Sequence, residues 1–291
     1  MSALRRIIWL ASFPKSGNTW LRSLLANYFQ PPGTTVPINQ LGQFTLSDTR
    51  QHFFDQAVGM PFQAQTVDAW IAARPKALEL IAASKPGHHF VKTHCQPGRV
   101  KGVDLIPPDI TAAAIYVMRN PFDVAPSYAR HMNVSVDAVI DRMTDAMATH
   151  GSSHGIMEIT GRWDDHVRNW TDATPGLPKH VLRYEDMLDR AEEVFGGLFT
   201  FLHLPIDRRR LGTLLESSSF SSLQRAEARD GFRERPPHMG QFFATGGAGG
   251  WREALEPRQA ARLREAFLPL LERWYPEMLD ATGAFAERAE A

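Results

Sequence analysis

Residues 7–29 read IIWLASFPKSGNTWLRSLLANYF, and this stretch decides the fold. Ile7, Ile8, Trp9 and Leu10 form a short apolar run, the mark of a buried strand. From Trp20 onward the apolar residues fall at helical spacing, at Trp20, Leu21, Leu24, Leu25 and Tyr28. Between them lies Pro14-Lys15-Ser16-Gly17-Asn18-Thr19, whose glycine is the first in the chain. A strand, a tight turn and a helix start form an anion cradle. Backbone N–H groups converge there and the helix dipole favours negative charge. Lys15 adds a full positive charge, so the stretch predicts a phosphate or sulfate site. An ordinary strand–helix turn is the plainer alternative.

Outward from this motif, short apolar runs alternate with helical stretches, as in a parallel sheet flanked by helices. HHFVKTH (88–94), AAAIYVMR (112–119) and HVLRY (180–184) read as further strands. Helical patterns cover 66–84 with a breaker at Pro75, 121–132, 136–148, 159–171, 185–204 and 256–273. Residues 30–64 are rich in Pro, Gly, Gln and Thr and show a helical pattern only at 50–58; they read as an insertion on the acceptor side. Residues 229–250 are Gly- and Pro-rich and read as a mobile cap loop, and the chain after Ala281 as an Ala-rich tail. The 291 residues are predicted to form a single α/β domain, with a P-loop-like central parallel sheet flanked by helices.

Composition narrows the function. Lys plus Arg and Asp plus Glu are 32 each, so bulk charge gives no reason to expect nucleic acid. The single cysteine, Cys95, permits no internal disulfide and suits a reducing compartment. The apolar run 7–12 is too short for a signal segment or a membrane span. A cytoplasmic protein with no membrane span is the expectation.

Ligands of open α/β sheets sit outside the carboxyl ends of the strands. The first three ends carry Lys15, Ser16 and Thr19, then Lys92, Thr93 and His94, then Arg119. Cations and hydroxyls dominate and no aspartate appears, whereas a Mg-nucleotide site usually needs a carboxylate. The fourth end supplies Tyr184-Glu185-Asp186, which reads as an acidic helix start. An ATP P-loop needs a glycine five residues before Gly-Lys-Ser/Thr, and here the lysine precedes the first glycine. A nucleotide-dependent phosphotransferase on a related fold stays as the alternative, and a non-enzymatic nucleotide binder as a third reading.

FPKSGNTW, then VKTH, then Arg119 with Ser127 eight residues later, then LRYEDM and FFATGGAGGW stand in an order that resembles cytosolic-type sulfotransferases, bacterial members included. These use 3′-phosphoadenosine 5′-phosphosulfate and yield adenosine 3′,5′-bisphosphate. The resemblance implies that Lys15, Ser16, Gly17, Asn18, Thr19 and Trp20 cradle the 5′-phosphosulfate, and that Arg119 and Ser127 hold the 3′-phosphate. It implies that Trp20, Tyr184 and Phe220 surround the adenine, with Ser218 and Ser219 beside Phe220 and Gly246 ending the covering loop. It implies His94 as catalytic base with Lys92 and Lys15 as catalytic cations, no metal, and a small-molecule hydroxyl as acceptor. Lys92 and His94, two apart on a strand, share a face. Histidine titrates near neutral pH, as a base for a hydroxyl must.

The plainer readings are a structural histidine for His94, an Asp123 ion pair for Arg119, a core side chain for Tyr184 and a flexible linker for Gly246–Gly250. Histidines 88, 89, 150 and 154 show no metal spacing and read as surface or core. The chain departs from the family at two places. Ala244-Thr245-Gly246 stands where Arg-Lys-Gly is usual, so either another residue supplies charge, with Arg229, Arg233 and Arg235 the candidates, or donor affinity is lower. Glu256-Pro257 replaces the Thr-Val of the animal dimer motif, which leaves monomer or homodimer open.

Overall fold

The computed structural model describes residues 6–63, 66–151, 156–244 and 246–290. Its strands are β1 (Ile7–Ser12), β2 (Leu46–Ser47), β3 (His89–Thr93), β4 (Arg99–Val100), β5 (Val103–Asp104), β6 (Thr111–Met118), β7 (Thr149–Gly151), β8 (Met157–Ile159) and β9 (Lys179–Arg183). Five of them form a parallel sheet in the order β2-β3-β1-β6-β9. β4–β5 and β7–β8 are small antiparallel pairs.

Both sheet faces are covered, which is why β1 reads as an unbroken apolar run rather than an alternating one. Trp9, Ala11, Val91 and Tyr116 point into one cluster, packed under the helices Val67–Ala83, Pro121–Met132, Trp163–Thr171 and Pro257–Trp274. Leu10, Phe90, Ile115 and Val117 point the other way, against the helices Asn18–Tyr28, Ala191–Phe201 and Arg208–Ser218.

Several expected boundaries shift for physical reasons. Pro75 does not break its helix, which runs continuously over Val67–Ala83. The buried Arg74 beside it bonds Asp48 and the Leu105 carbonyl, and Trp70, Ala77, Leu78 and Ile81 are buried around it. The helix expected over 136–148 stops at Met143, and the one expected from 159 starts at Trp163. The intervening chain pairs as β7–β8, with His150 opposite Glu158. The helix expected over 185–204 is two, Tyr184–Asp189 and Ala191–Phe201, joined at Arg190 with φ −134° and ψ 44°. The bend lets Met187 join Phe195, Leu198 and Phe199 in one cluster. The tail is helical over Pro276–Glu290, held by the buried Met278 and by Phe285 against Trp251. Glu256-Pro257 starts the helix Pro257–Trp274, with Glu256 and Gln259 closing a capping box.

Candidate active site

β1 delivers the chain into a turn that reverses onto the helix Asn18–Tyr28. Lys15 is left-handed at φ 68° and Gly17 at φ 104°. Gly17 caps the helix with no side-chain bond; the Trp20 N–H turns back to the Gly17 carbonyl at 3.0 Å, and the N–H groups of Asn18 and Thr19 have no partner among the described residues and can meet an anion. Asn18 pins the turn, its Nδ2 donating to the Leu10 carbonyl at 2.9 Å and to Ser12 Oγ at 3.2 Å. The Tyr184 ring lies so close that a Cβ at Gly17 would meet it at 2.6 Å.

The turn opens into a cavity of about 1190 Å³. Lys15, Gly17, Asn18, Thr19, Trp20, Lys92, His94, Arg119, Ser127, Tyr184, Phe220 and Gly246 all line it, from six different parts of the chain. The Arg119 guanidinium donates to the Lys15 carbonyl at 3.2 Å and the Gly247 carbonyl at 2.9 Å, and lies 4.4 Å over the Tyr184 ring. No bond joins it to Asp123, which instead accepts the N–H groups of Gly249 and Trp251 at 2.8 and 3.0 Å. The Tyr184 hydroxyl donates to the Gly246 carbonyl at 2.9 Å, and Trp20 meets the Tyr184 ring edge-on at 5.9 Å. Glu185 receives the backbone and side-chain N–H of Asn120.

Ser218 and Ser219 do not line the cavity. Ser218 is fully buried and its hydroxyl donates to the Leu214 carbonyl at 2.6 Å, while Ser219 caps the helix Phe220–Asp230. Only Phe220 of that trio turns inward, and a Cβ on Gly246 would meet its ring at 2.3 Å. Ser16 is fully buried and its Oγ has no partner; the buried Trp20 Nε1 and Arg119 Nε lack one too. Orphaned polar atoms around a cationic turn suit an anionic, nucleotide-sized ligand.

Lys92 and His94 line the same cavity, as their spacing predicts. His94 Nδ1 lies 2.7 Å from the Ser12 carbonyl, which can only accept, so Nδ1 carries the proton. Nε2 makes no hydrogen bond among the described residues and keeps its lone pair. Burial first, then Lys92 and His150, push the imidazole well below its ordinary value, so it is neutral and able to accept a proton. Cys95 points the other way into the core, where burial pushes its thiol up and leaves it inert.

Lys15 sits among cations. Burial, then Arg130, Arg119 and Lys92, push its ammonium down to about 7, with Glu227 opposing. Its Nζ lies 3.8 Å over the Phe242 ring. The segment carrying Phe242 is tied down at both ends. Arg22 grips Glu234 with two bonds of 2.8 and 2.9 Å, and Glu227 accepts the N–H groups of Phe242 and Phe243 at 2.7 and 2.9 Å. Of the arginines proposed to replace the missing loop cations, Arg233 and Arg235 line the cavity, Arg235 paired with Glu227. Arg229 is spent on Asp230. Thr245 lies outside the described residues, as does His154.

Sequence reasoning missed a second set of groups. Arg130, His131, His150 and Glu158 also line the cavity, so His150 is neither surface nor plain core. Glu158 is buried and its Oε1 accepts the His94 backbone N–H at 2.5 Å. Asp48 lies beside it, taking Arg74 and Thr93 Oγ1 on Oδ2 at 2.8 Å each and leaving Oδ1 without a partner. Burial first, then the like charge of Asp48, push Glu158 up to about 8, with Lys92 opposing. His150 and Glu158 come from β7 and β8 and Asp48 follows β2, strands of two or three residues with no period to read, while Arg130 and His131 lie in the last turn of the helix Pro121–Met132.

A family model described as the sulfotransferase domain matches residues 5–275. Cytosolic sulfotransferase 15 of Arabidopsis thaliana is 25% identical, over 90% of this chain and 70% of its own. Sulfotransferase 1A1 of Rattus norvegicus is 20% identical, over 87% of this chain and 80% of its own. Among solved structures, mouse sulfotransferase SULT7A1 complexed with PAP aligns over 98% of this chain and 89% of that one, with a TM-score of 0.59 and 18% identity. Retinol dehydratase in complex with androsterone and inactive cofactor PAP aligns over 92% and 81%, with a TM-score of 0.65 and 17% identity. Both share the fold. No helix among the described residues is long and apolar enough to cross a membrane.

Proposed function

Because the chain belongs to the sulfotransferase domain family and is a sulfotransferase, we propose that 3′-phosphoadenosine 5′-phosphosulfate is its donor and that His94 is its base. The observation that carries this is the pairing of a His94 Nδ1–H fixed on the Ser12 carbonyl with Lys15 in the same cavity. The donor supplies an activated sulfuryl group and an anionic bisphosphate leaving group. His94 Nε2 is free to take the proton of an acceptor hydroxyl, a contribution of roughly 10²–10⁴-fold. Balance is complete: the acceptor oxygen gains a bond to sulfur, the bond from sulfur to the bisphosphate oxygen breaks, and the proton goes to His94.

Lys15 and the turn N–H groups oppose the negative charge that the leaving group develops. Arg119 and Ser127, eight residues apart along one cavity wall, fit the 3′-phosphate, with Arg233 the added cation of the covering segment. Trp20, Tyr184 and Phe220 fit the adenine. The acceptor is a small molecule, and the protein is assigned to the cytoplasm.

A thermal-shift comparison of adenosine 3′,5′-bisphosphate with Mg-ATP tests the donor. A ligand at 100 times its Kd adds roughly 2.7 kcal/mol, worth a few degrees in a chain of this size. Stabilisation by the bisphosphate alone is expected; stabilisation by Mg-ATP alone would replace this reading with a phosphotransferase.

A further inference from the structure

Beside the base stands a row of imidazoles. His94 meets His150 edge to face, with ring centres 5.5 Å apart, and His150 stacks on His131 at 5.9 Å. Burial first, then nearby cations, Lys92 among them, push His150 and His131 down to about 3. Both are therefore neutral near pH 7, and a neutral imidazole offers one donor and one acceptor. The Tyr128 hydroxyl pairs with His150 Nδ1 at 3.0 Å, while the buried His131 Nδ1 has no partner among the described residues.

The opposite flank of the base is polar as well. Ser47 lies directly beside Lys92 in the sheet register, so the two side chains leave on one face. The Ser47 and Thr49 hydroxyls share one bond of 2.8 Å and both line the cavity. A flat aromatic or sterol seated here would strip water from these groups and return no hydrogen bond, which is costly. A hydroxyl both donates and accepts, as these imidazoles and hydroxyls do. Lys15, Lys92 and Arg130 belong to a set of lining cations that outnumbers the lining carboxylates Glu158 and Glu234, and so oppose an amine acceptor.

We propose that the acceptor is a polyhydroxylated molecule, a saccharide or similar polyol, with one hydroxyl at His94 and a neighbouring hydroxyl held by His150 and His131. This rests on the sulfotransferase reading with His94 as base. It goes beyond that reading by naming the acceptor class.

The test offers the enzyme, with labelled donor, a panel of neutral mono- to trisaccharides and inositol, against 2-naphthol and a sterol. Turnover of at least one polyol in preference to 2-naphthol and the sterol is expected. His150→Phe should then raise the KM for that polyol about tenfold or more with a smaller change in kcat, as loss of a hydrogen bond that leaves a hydroxyl unpaired requires. His150→Asn, which keeps a donor and an acceptor, should restore part of it. Adenosine 3′,5′-bisphosphate binding by calorimetry reports whether each variant is folded. Preference for 2-naphthol or the sterol, or no polyol turnover while the bisphosphate still binds, overturns the inference and leaves the donor assignment standing. Failure of the wild type to bind the bisphosphate sinks the donor assignment and this inference with it.

Discussion

The Glu158 carboxyl holds the backbone N–H of His94 across 64 residues of sequence, at 2.5 Å. The bond fixes the end of β3 against β8 and so fixes where the His94 ring stands. Glu158→Gln keeps an acceptor for that N–H and, like the protonated acid, a donor that can face Asp48, so its kcat should stay within a few-fold of wild type. Glu158→Ala frees the strand end, and a shift of about 1 Å at a catalytic group can cost roughly 100-fold. Equal kcat values for the two variants would show that the bond does not position the base.

The same carboxyl makes stability depend on pH. Its value is raised in the folded protein by burial and Asp48, from 4.5 in the unfolded chain. Below that value both states hold the proton. As pH rises above it, the unfolded chain releases a proton that the folded protein keeps, so stability declines until the raised value is passed. The melting temperature of wild type should fall over this window more steeply than that of Glu158→Gln. Parallel curves would refute the assignment.

Lys15 should make donor-site binding take up protons. Its neighbours push it down to about 7 without an anion present, and a bound bisphosphate reverses that push. At pH 8 calorimetry in buffers of different ionisation enthalpy should therefore show net proton uptake, and affinity should weaken as pH rises above about 7. Lys15→Met should abolish the uptake and lower kcat by about 10²–10³-fold, the usual cost of removing one donor aimed at developing charge.

Gly17 is fixed twice, by its φ of 104° and by the Tyr184 ring 2.6 Å from where a Cβ would stand. Gly17→Ala should cost about 1–3 kcal/mol of stability through backbone strain, and bisphosphate affinity should fall with it. A melting temperature equal to wild type would mean that the turn relaxes freely.

The covering segment reads as mobile from its glycines, yet Arg22 and Glu234 span 212 residues to hold it. Limited proteolysis within 229–250 should be slowed by adenosine 3′,5′-bisphosphate. Glu234→Gln should speed it several-fold in the free protein, modestly because the carboxylate is partly exposed. Unchanged cleavage in the variant would show that this ion pair does not limit opening.

Most of the sheet was legible in the sequence because buried parallel strands write themselves as apolar runs, as at Ile7–Leu10 and in AAAIYVMR. The strand–turn–helix at Lys15 and Gly17 was legible because an apolar run meets a helical period there. What stayed hidden depends on contacts made across the chain. Asp48 follows a two-residue strand, Glu158 and His150 face each other across strands of three residues, and His131 lies on a helix whose periodicity gives no hint of the cavity. Ser218 and Ser219 show the reverse error. A local match to a family motif placed them at the site, and their hydroxyls are used within helices instead.

The strand order also bears on how the protein must form. β1 lies between β3 and β6, and its pairings join Ile7 to His89 and to Thr111. Neither partner is local, so the centre of the sheet forms only after large loops have been drawn together, a topology that folds slowly. Lys15, His94 and Arg119 follow those three strands directly. No fragment that lacks any one of them can assemble the cavity, and a partly folded chain exposes Trp9, Val91 and Tyr116 to other chains before it gains any activity.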